Sequence, residues 1–135
     1  MSGIAALRSV LVDDAALIAL VPPERIAAGV LPLNTTLPFI ELSSVSVVDM
    51  NIPTPGATQF VAERVRAAVV AANDPELREV FAAMKRAGGG QLYPTVTGIS
   101  GVTIFTAGAG PDIVNEQVHL YQKNMDFMIR YTETR

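Results

Sequence analysis

The sequence predicts an α+β fold, a mainly antiparallel sheet with an N-terminal pair of short helices and one long amphipathic helix packed on one face. Three patterns predict it. Apolar residues near the N-terminus recur at helical spacing, the middle and C-terminal stretches alternate at strand period, and a well-capped helical segment separates them. With 135 residues, half of them hydrophobic, the chain suits one domain around one core.

Ser2 is placed to cap a first helix whose Ile4, Leu7, Val10 and Leu11 share a face. Asp13 and Asp14 stand where an N-cap and a first-turn acid belong, ahead of Ala15, Ala16, Leu17, Ile18 and Leu20, and Pro22-Pro23 ends this second helix. Residues 25–33 suit a short strand or an extended arm. Pro38 then sets up residues 39–48, rich in β-branched side chains and serine, as a strand. Residues 49–58 contain Pro53, Pro55 and Gly56 and predict a long hairpin-type loop, a candidate contact arm.

Residues 59–72 are ambiguous from composition. Alanine and arginine favour a helix, while Glu63, Val65, Ala67 and Val69 alternating against Arg64 and Arg66 permit a strand. The next segment has one reading. Asn73 and Asp74 offer caps, Pro75 suits the first helical position, and Glu76 completes an Asn-x-x-Glu box. Leu77, Val80, Phe81 and Met84 follow at spacings of three and four, Lys85 and Arg86 fall in the last turn, and Gly88-Gly89-Gly90 is expected to act as a stop and flexible joint. A strand over 101–106, a loop over 108–116 and a final strand follow. In that last strand Met125, Phe127, Ile129 and Tyr131 alternate with Asp126, Arg130 and Thr132, whereas Val118 and Leu120 have the opposite parity. A bulge or turn near residues 122–124 is the expectation.

Composition excludes several chemistries. Without cysteine there are no disulfides, thiolate metal sites or thiol nucleophiles, which fits assembly in a reducing cytoplasm. The apolar run 15–21 is too short to span a bilayer and no basic segment precedes it, so no membrane contact and no secretion signal are expected. A net charge of −3 with scattered basic residues argues against sequence-driven DNA binding. Charged residues make up 17% of the chain, below the roughly 25% of typical soluble domains, and mean hydropathy is +0.35, so some apolar surface is expected to meet a partner.

His119 is the sole histidine, and beside Val118 and Leu120 it suits a structural role better than a catalytic one; no catalytic residue is assigned. A pocket joining His119, Asp112 and Glu116 would be needed for an enzyme or a ligand-binding domain. Asp13-Asp14 and Asp112 with Glu116 are explained by helix N-terminal charge and loop solvation, and no metal is expected. Gly108-Ala109-Gly110-Pro111 lacks the third glycine of a dinucleotide loop, and Gly88-Gly89-Gly90 lacks the Lys-Ser/Thr of a phosphate loop, so no cofactor is expected. The candidate interface residues are instead Asp49, Met50, Ile52 and Phe60 on or beside the arm, Arg64 and Arg66 as a basic stripe, and Asp112 and Glu116 in the loop.

Several stretches resemble the bacteriophage tail completion, or tail terminator, family, which joins tail to head in long-tailed phages. They are Ile4-Ala5-Ala6-Leu7; Asp13-Asp14-Ala15-Ala16-Leu17-Ile18-Ala19-Leu20-Val21; Arg25-Ile26; Leu37-Pro38-Phe39-Ile40; and Phe60-Val61-Ala62-Glu63-Arg64-Val65-Arg66. Asn73-Asp74-Pro75-Glu76, the segment from Thr106 through Gly108 and Gly110 to Asp112, Asn115-Glu116-Gln117 and Met125-Asp126-Phe127 extend the resemblance over nearly the whole chain. It implies that residues 60–72 form a strand. It also implies a non-enzymatic virion protein, assembled in the host cytoplasm and forming a homo-oligomeric ring, hexameric in that family. Such a ring sits at the tail–head junction, touches the tail tube protein and a head–tail connector protein, and passes DNA through its lumen as cargo. A neck ring of the head-closure or adaptor type shares these features and differs in its binding partner.

Overall fold

The computed structural model describes residues 2–29, 31–32, 36–50, 56–92, 94–115 and 120–134. Among them the chain order is α1 (Ser2–Val12), α2 (Ala15–Leu20), a 3-10 turn (Pro23–Arg25), β1 (Ile26–Ala28), β2 (Phe39–Met50), β3 (Thr58–Ala71), α3 (Asp74–Gly88), β4 (Gln91–Leu92), β5 (Ile99–Ala109), β6 (Ile113–Asn115) and β7 (Leu120–Thr134). The seven strands form one sheet in the order β1-β2-β3-β7-β5-β4, with β6 also on β7. Every pairing is antiparallel except β1 with β2.

The helix ends follow from local chemistry. Asp14 caps α2 by accepting the Leu17 amide at 3.0 Å. Asn73 accepts the Glu76 amide at 2.9 Å while Glu76 reaches back to the Ala72 amide at 3.4 Å. The start of α1 is satisfied from a distance in sequence: the Gly3 amide donates to Glu63 Oε1 at 3.1 Å. A Cβ on Gly3 would lie 2.6 Å from the Glu63 Cδ, so only glycine allows this approach. Gly88 has a similar role. It ends α3 buried against Phe127, where a Cβ would meet the ring at 2.8 Å, and Gly89 caps the helix through its amide to the Lys85 carbonyl. The first glycine of the triplet therefore serves close packing, not the joint expected from sequence.

Residues 60–71 are strand. Helix propensity loses here because β3 lies between β2 and β7 and exchanges ladder hydrogen bonds with both. Val61, Glu63, Val65, Ala67, Val69 and Ala71 are buried, and the opposing Tyr131, Ile129, Phe127 and Met125 of β7 are buried with them. They pack with Leu7 and Leu11 of α1, Leu17 of α2, and Leu77, Val80 and Met84 of α3. Each such large side chain contributes roughly 1.5–3 kcal/mol when fully removed from water.

Three sequence expectations need correction. Ladder pairing extends β2 through Asp49 and Met50, with Met50 opposite Phe60, and β3 begins at Thr58, so the segment between the strands is shorter than 49–58; residues 51–55 lie outside the described residues. The stretch 108–116 is not all loop, because residues 113–115 form β6 and pair with residues 120–122. No bulge interrupts β7 near residues 122–124: its register with β3 is continuous from Thr134 opposite Thr58 to Tyr121 opposite Ala71. Lys123 has the same parity as Met125 and Phe127 and so takes a helix-side position; Val118 lies outside the described residues. The Lys123 ammonium lies 5.1 Å from the centroid of the Phe81 ring and 2.9 Å from Asp112. The irregularities fall on the neighbouring strands, at Ser44/Ser46 of β2 and at Ser100/Thr103 and Thr106/Gly108 of β5.

Candidate functional site

The even-numbered side chains of β3 and β7 face away from the helices. Arg64 and Arg66 both reach across to Asp126, with Nε–Oδ distances of 2.8 and 3.0 Å. Burial of Asp126 works to raise its pKa, but the hydrogen bonds from Arg66 and Arg64 outweigh it and hold the carboxyl below the usual range. The same hydrogen bond raises the Arg66 pKa. Arg130, opposite Ala62 and Thr103 on this face, is exposed and has no ion-pair partner among the described residues. Phe60, Met128 and Phe105 interleave with these arginines, and Phe60 is 41% exposed. The arginine stripe is therefore an ion-paired cluster within the chain, set in a partly apolar surface.

Asp49, Met50 and Phe60 lie together at the outer end of the β2–β3 hairpin. All the side chains from 43 to 50 are exposed, including Val45, Val47, Val48 and Met50, and Val48 is 57% exposed. The cause is the extent of the cover: β1 pairs only with residues 40–42, and the buried part of β2 is Ile40 and Leu42. Beyond them, among the described residues, the strand pairs with β3 alone. Ile52 lies outside the described residues.

Asp112 sits on the other side of the molecule's sheet order. Lys123 donates to it at 2.9 Å and Arg78 lies 3.6 Å away. The hydrogen bond from Lys123 lowers its pKa, with the charges of Lys123 and Arg78 adding to that and desolvation opposing it. Glu116 and His119 lie outside the described residues, so of the pocket imagined around them only Asp112 is placed, and it is engaged by two cations. Among the described residues no three His, Asp or Glu side chains cluster as metal ligands, and no helix is long and apolar enough to cross a membrane. Among the described residues an open groove lies between the end of α3 and β5, lined by Ala82, Lys85, Arg86, Gly89, Gly90, Phe105 and Thr106.

One group escaped sequence reasoning. Glu63 is fully buried and accepts both the Gly3 amide and, at 2.9 Å, the Tyr131 hydroxyl. Burial first, then this hydrogen bond and the Glu63 charge, push the Tyr131 pKa far up. The signal was present, since Glu63 shares parity with Val65, Ala67 and Val69. What was missing was the helix N-terminus that receives it.

No protein-family model matches the sequence, and no curated protein matches it. Among solved structures, a chain from the virion of a native gene transfer agent (GTA) particle is similar over 96% of this chain and 93% of that one, with a TM-score of 0.75 and 21% sequence identity. The two chains share a fold over nearly their full lengths.

Proposed function

We propose that this protein is a non-enzymatic structural component of a phage-type virion, a subunit of a ring that closes the tail tube and joins the tail to the head connector. The observation that carries the reading is the near-full-length fold likeness to a virion chain; the tail terminator resemblance in the sequence narrows it to the tail–head junction. The surface chemistry supports assembly. A hairpin end with Val45, Val47, Val48, Met50 and Phe60 exposed is the kind of apolar area that proteins cover with partners.

A ring at the end of a tube matches the tube's subunit surface on one side and offers a different surface on the other, so growth stops because no complementary patch is presented. In this reading the chain is one domain, with α3 as its long amphipathic helix and the hairpin end as its contact arm. Asp49, Met50, Ile52, Phe60, Arg64, Arg66, Asp112 and Glu116 belong to subunit or partner contacts. The ring is a hexamer, as in the family resembled, and DNA passes through it unread. The net charge of −3 suits a lumen that does not hold phosphates.

Electron microscopy with mass measurement, on the protein alone and mixed with tail tubes, tests this. Rings, or density at one tube end with no further growth, are expected. A monomer that ignores tubes overturns the reading, and a ring that binds connector but not tube replaces it with a neck adaptor.

A further inference from the structure

We propose that the free chain forms a dimer in which the open edge of β2 pairs with the same edge of a second copy about a two-fold axis at Val48. Residues 46–50 pair with β3 without a register shift, and their other edge is unpaired among the described residues, because β1 reaches only residues 40–42. All the side chains from 46 to 50 are exposed, Asp49 is the one charge among them, and none is Lys or Pro, the residues that usually blunt an open edge. Backbone donors and acceptors left open beside Val47, Val48 and Met50 are a template for another strand.

Length, direction and charge identify the second strand as another copy of β2. The opposite border of the sheet offers only short or broken pieces: β4 is Gln91–Leu92, β6 is Ile113–Asn115, and β5 has register shifts at Ser100/Thr103 and Thr106/Gly108. Among the described residues, the edge that matches 46–50 over its whole length is that edge itself. Two copies related by a two-fold axis perpendicular to the sheet run antiparallel, as β2 and β3 do, and residues opposite each other must then share a face. The register that uses the whole regular stretch puts Val48 opposite Val48, Val47 opposite Asp49 and Ser46 opposite Met50. Val47 and Asp49 lie opposite Glu63 and Val61 of β3, hence on the helix side, whereas Ser46, Val48 and Met50 lie opposite Arg64, Ala62 and Phe60 on the helix-free face, so every pair obeys the rule. The two Asp49 side chains fall on the diagonal, about 7–8 Å apart between Cα atoms, and are the one like-charge contact within this ladder. Past Ser46 the register shift at Ser44/Ser46 ends the regular ladder. Such a self-complementary joint closes at two copies. It also covers the hairpin end that the ring reading gives to partner contacts, so the dimer and the ring use one edge in turn.

The chain has no cysteine, so introduced thiols report without background. Opposite residues in an antiparallel pair have Cα atoms about 4.5–5.5 Å apart, within disulfide reach. Under mild oxidation Val48→Cys should therefore give a covalent dimer by itself, Ser46→Cys should give none, and Ser46→Cys/Met50→Cys should give one again. No cross-link at Val48→Cys, or one as efficient at Ser46→Cys, overturns the joint. Sedimentation of the free protein over a concentration series is the second measurement. The parent should pass from monomer to dimer, Val48→Lys should raise the dissociation constant about tenfold or more by setting two cations on the axis, and Asp49→Asn should lower it about threefold by removing the diagonal repulsion. Phe105→Ser, at the other border of the sheet, should leave it unchanged. A parent that stays monomeric, or a Val48→Lys variant that dimerises as well as the parent, overturns the joint. The ring reading fails separately: dimers that never give rings with tail tubes support the joint and overturn the ring, whereas rings from a protein that is monomeric when free overturn the joint and leave the ring standing.

Discussion

Glu63 and Asp126 occupy the two faces of one strand pair, a few residues apart, and the molecule handles their carboxylates in different ways. Glu63 points under the helices, where the amide at the start of α1 and the Tyr131 hydroxyl donate to it. Asp126 points to the helix-free face and is held by two guanidinium groups that are themselves 38% and 45% exposed. On the covered face, partners must be built into the fold, since water is excluded and an unmet hydrogen bond is costly. On the open face, water competes with every ion pair, and the net worth of each contact is small.

The sharpest way to break this contrast is to remove the inner carboxylate. Glu63→Ala leaves the Gly3 amide and the Tyr131 hydroxyl without this acceptor, and urea denaturation should show a loss of about 3 kcal/mol. Tyr131→Phe keeps the ring and removes one donor, costing about 1 kcal/mol at neutral pH. The Tyr131 pKa is raised on folding, so its contribution is present below the ordinary tyrosine value of about 10 and is lost as pH rises above it. The variant should therefore lose less stability than the parent between neutral and strongly alkaline pH; equal alkaline slopes would refute the buried contact.

The outer carboxylate should matter less. Asp126→Asn is expected to cost under about 1 kcal/mol, because both arginines remain partly solvated. The folded pKa of Asp126 is lowered, so its contribution is present above the ordinary Asp value of about 3.9 and is lost as pH falls below it. Unfolding curves taken from neutral pH into that acid range should be less pH-dependent in the variant. The smallest effect on stability belongs to Phe60→Ser, within about 0.5 kcal/mol of the parent, since the ring is already 41% exposed. A large loss there would mean that this face is not open.

Much of the architecture was legible in local pattern. The capping residues Asp14 and Asn73 and the alternation in β7 from Met125 to Tyr131 rest on interactions between near neighbours or on the period of the strand, which a sequence displays directly. Among the candidate interface residues, Asp49, Met50 and Phe60 come together because they are close across one hairpin. Arg64 and Arg66 were visible as a stripe, but their partner Asp126 lies sixty residues away, and nothing local announces it.

Sequence by itself determined which segments are helices and strands wherever caps, period and breakers agreed, because those effects act over a few residues. Tertiary structure decided the rest: that residues 60–71 are strand, that Glu63 is buried, that Lys123 turns inward over Phe81, and that β2 is covered in its first half and bare in its second. Each of these depends on which distant element lies alongside, and the free energy of such a contact belongs to the pair, not to either sequence segment alone.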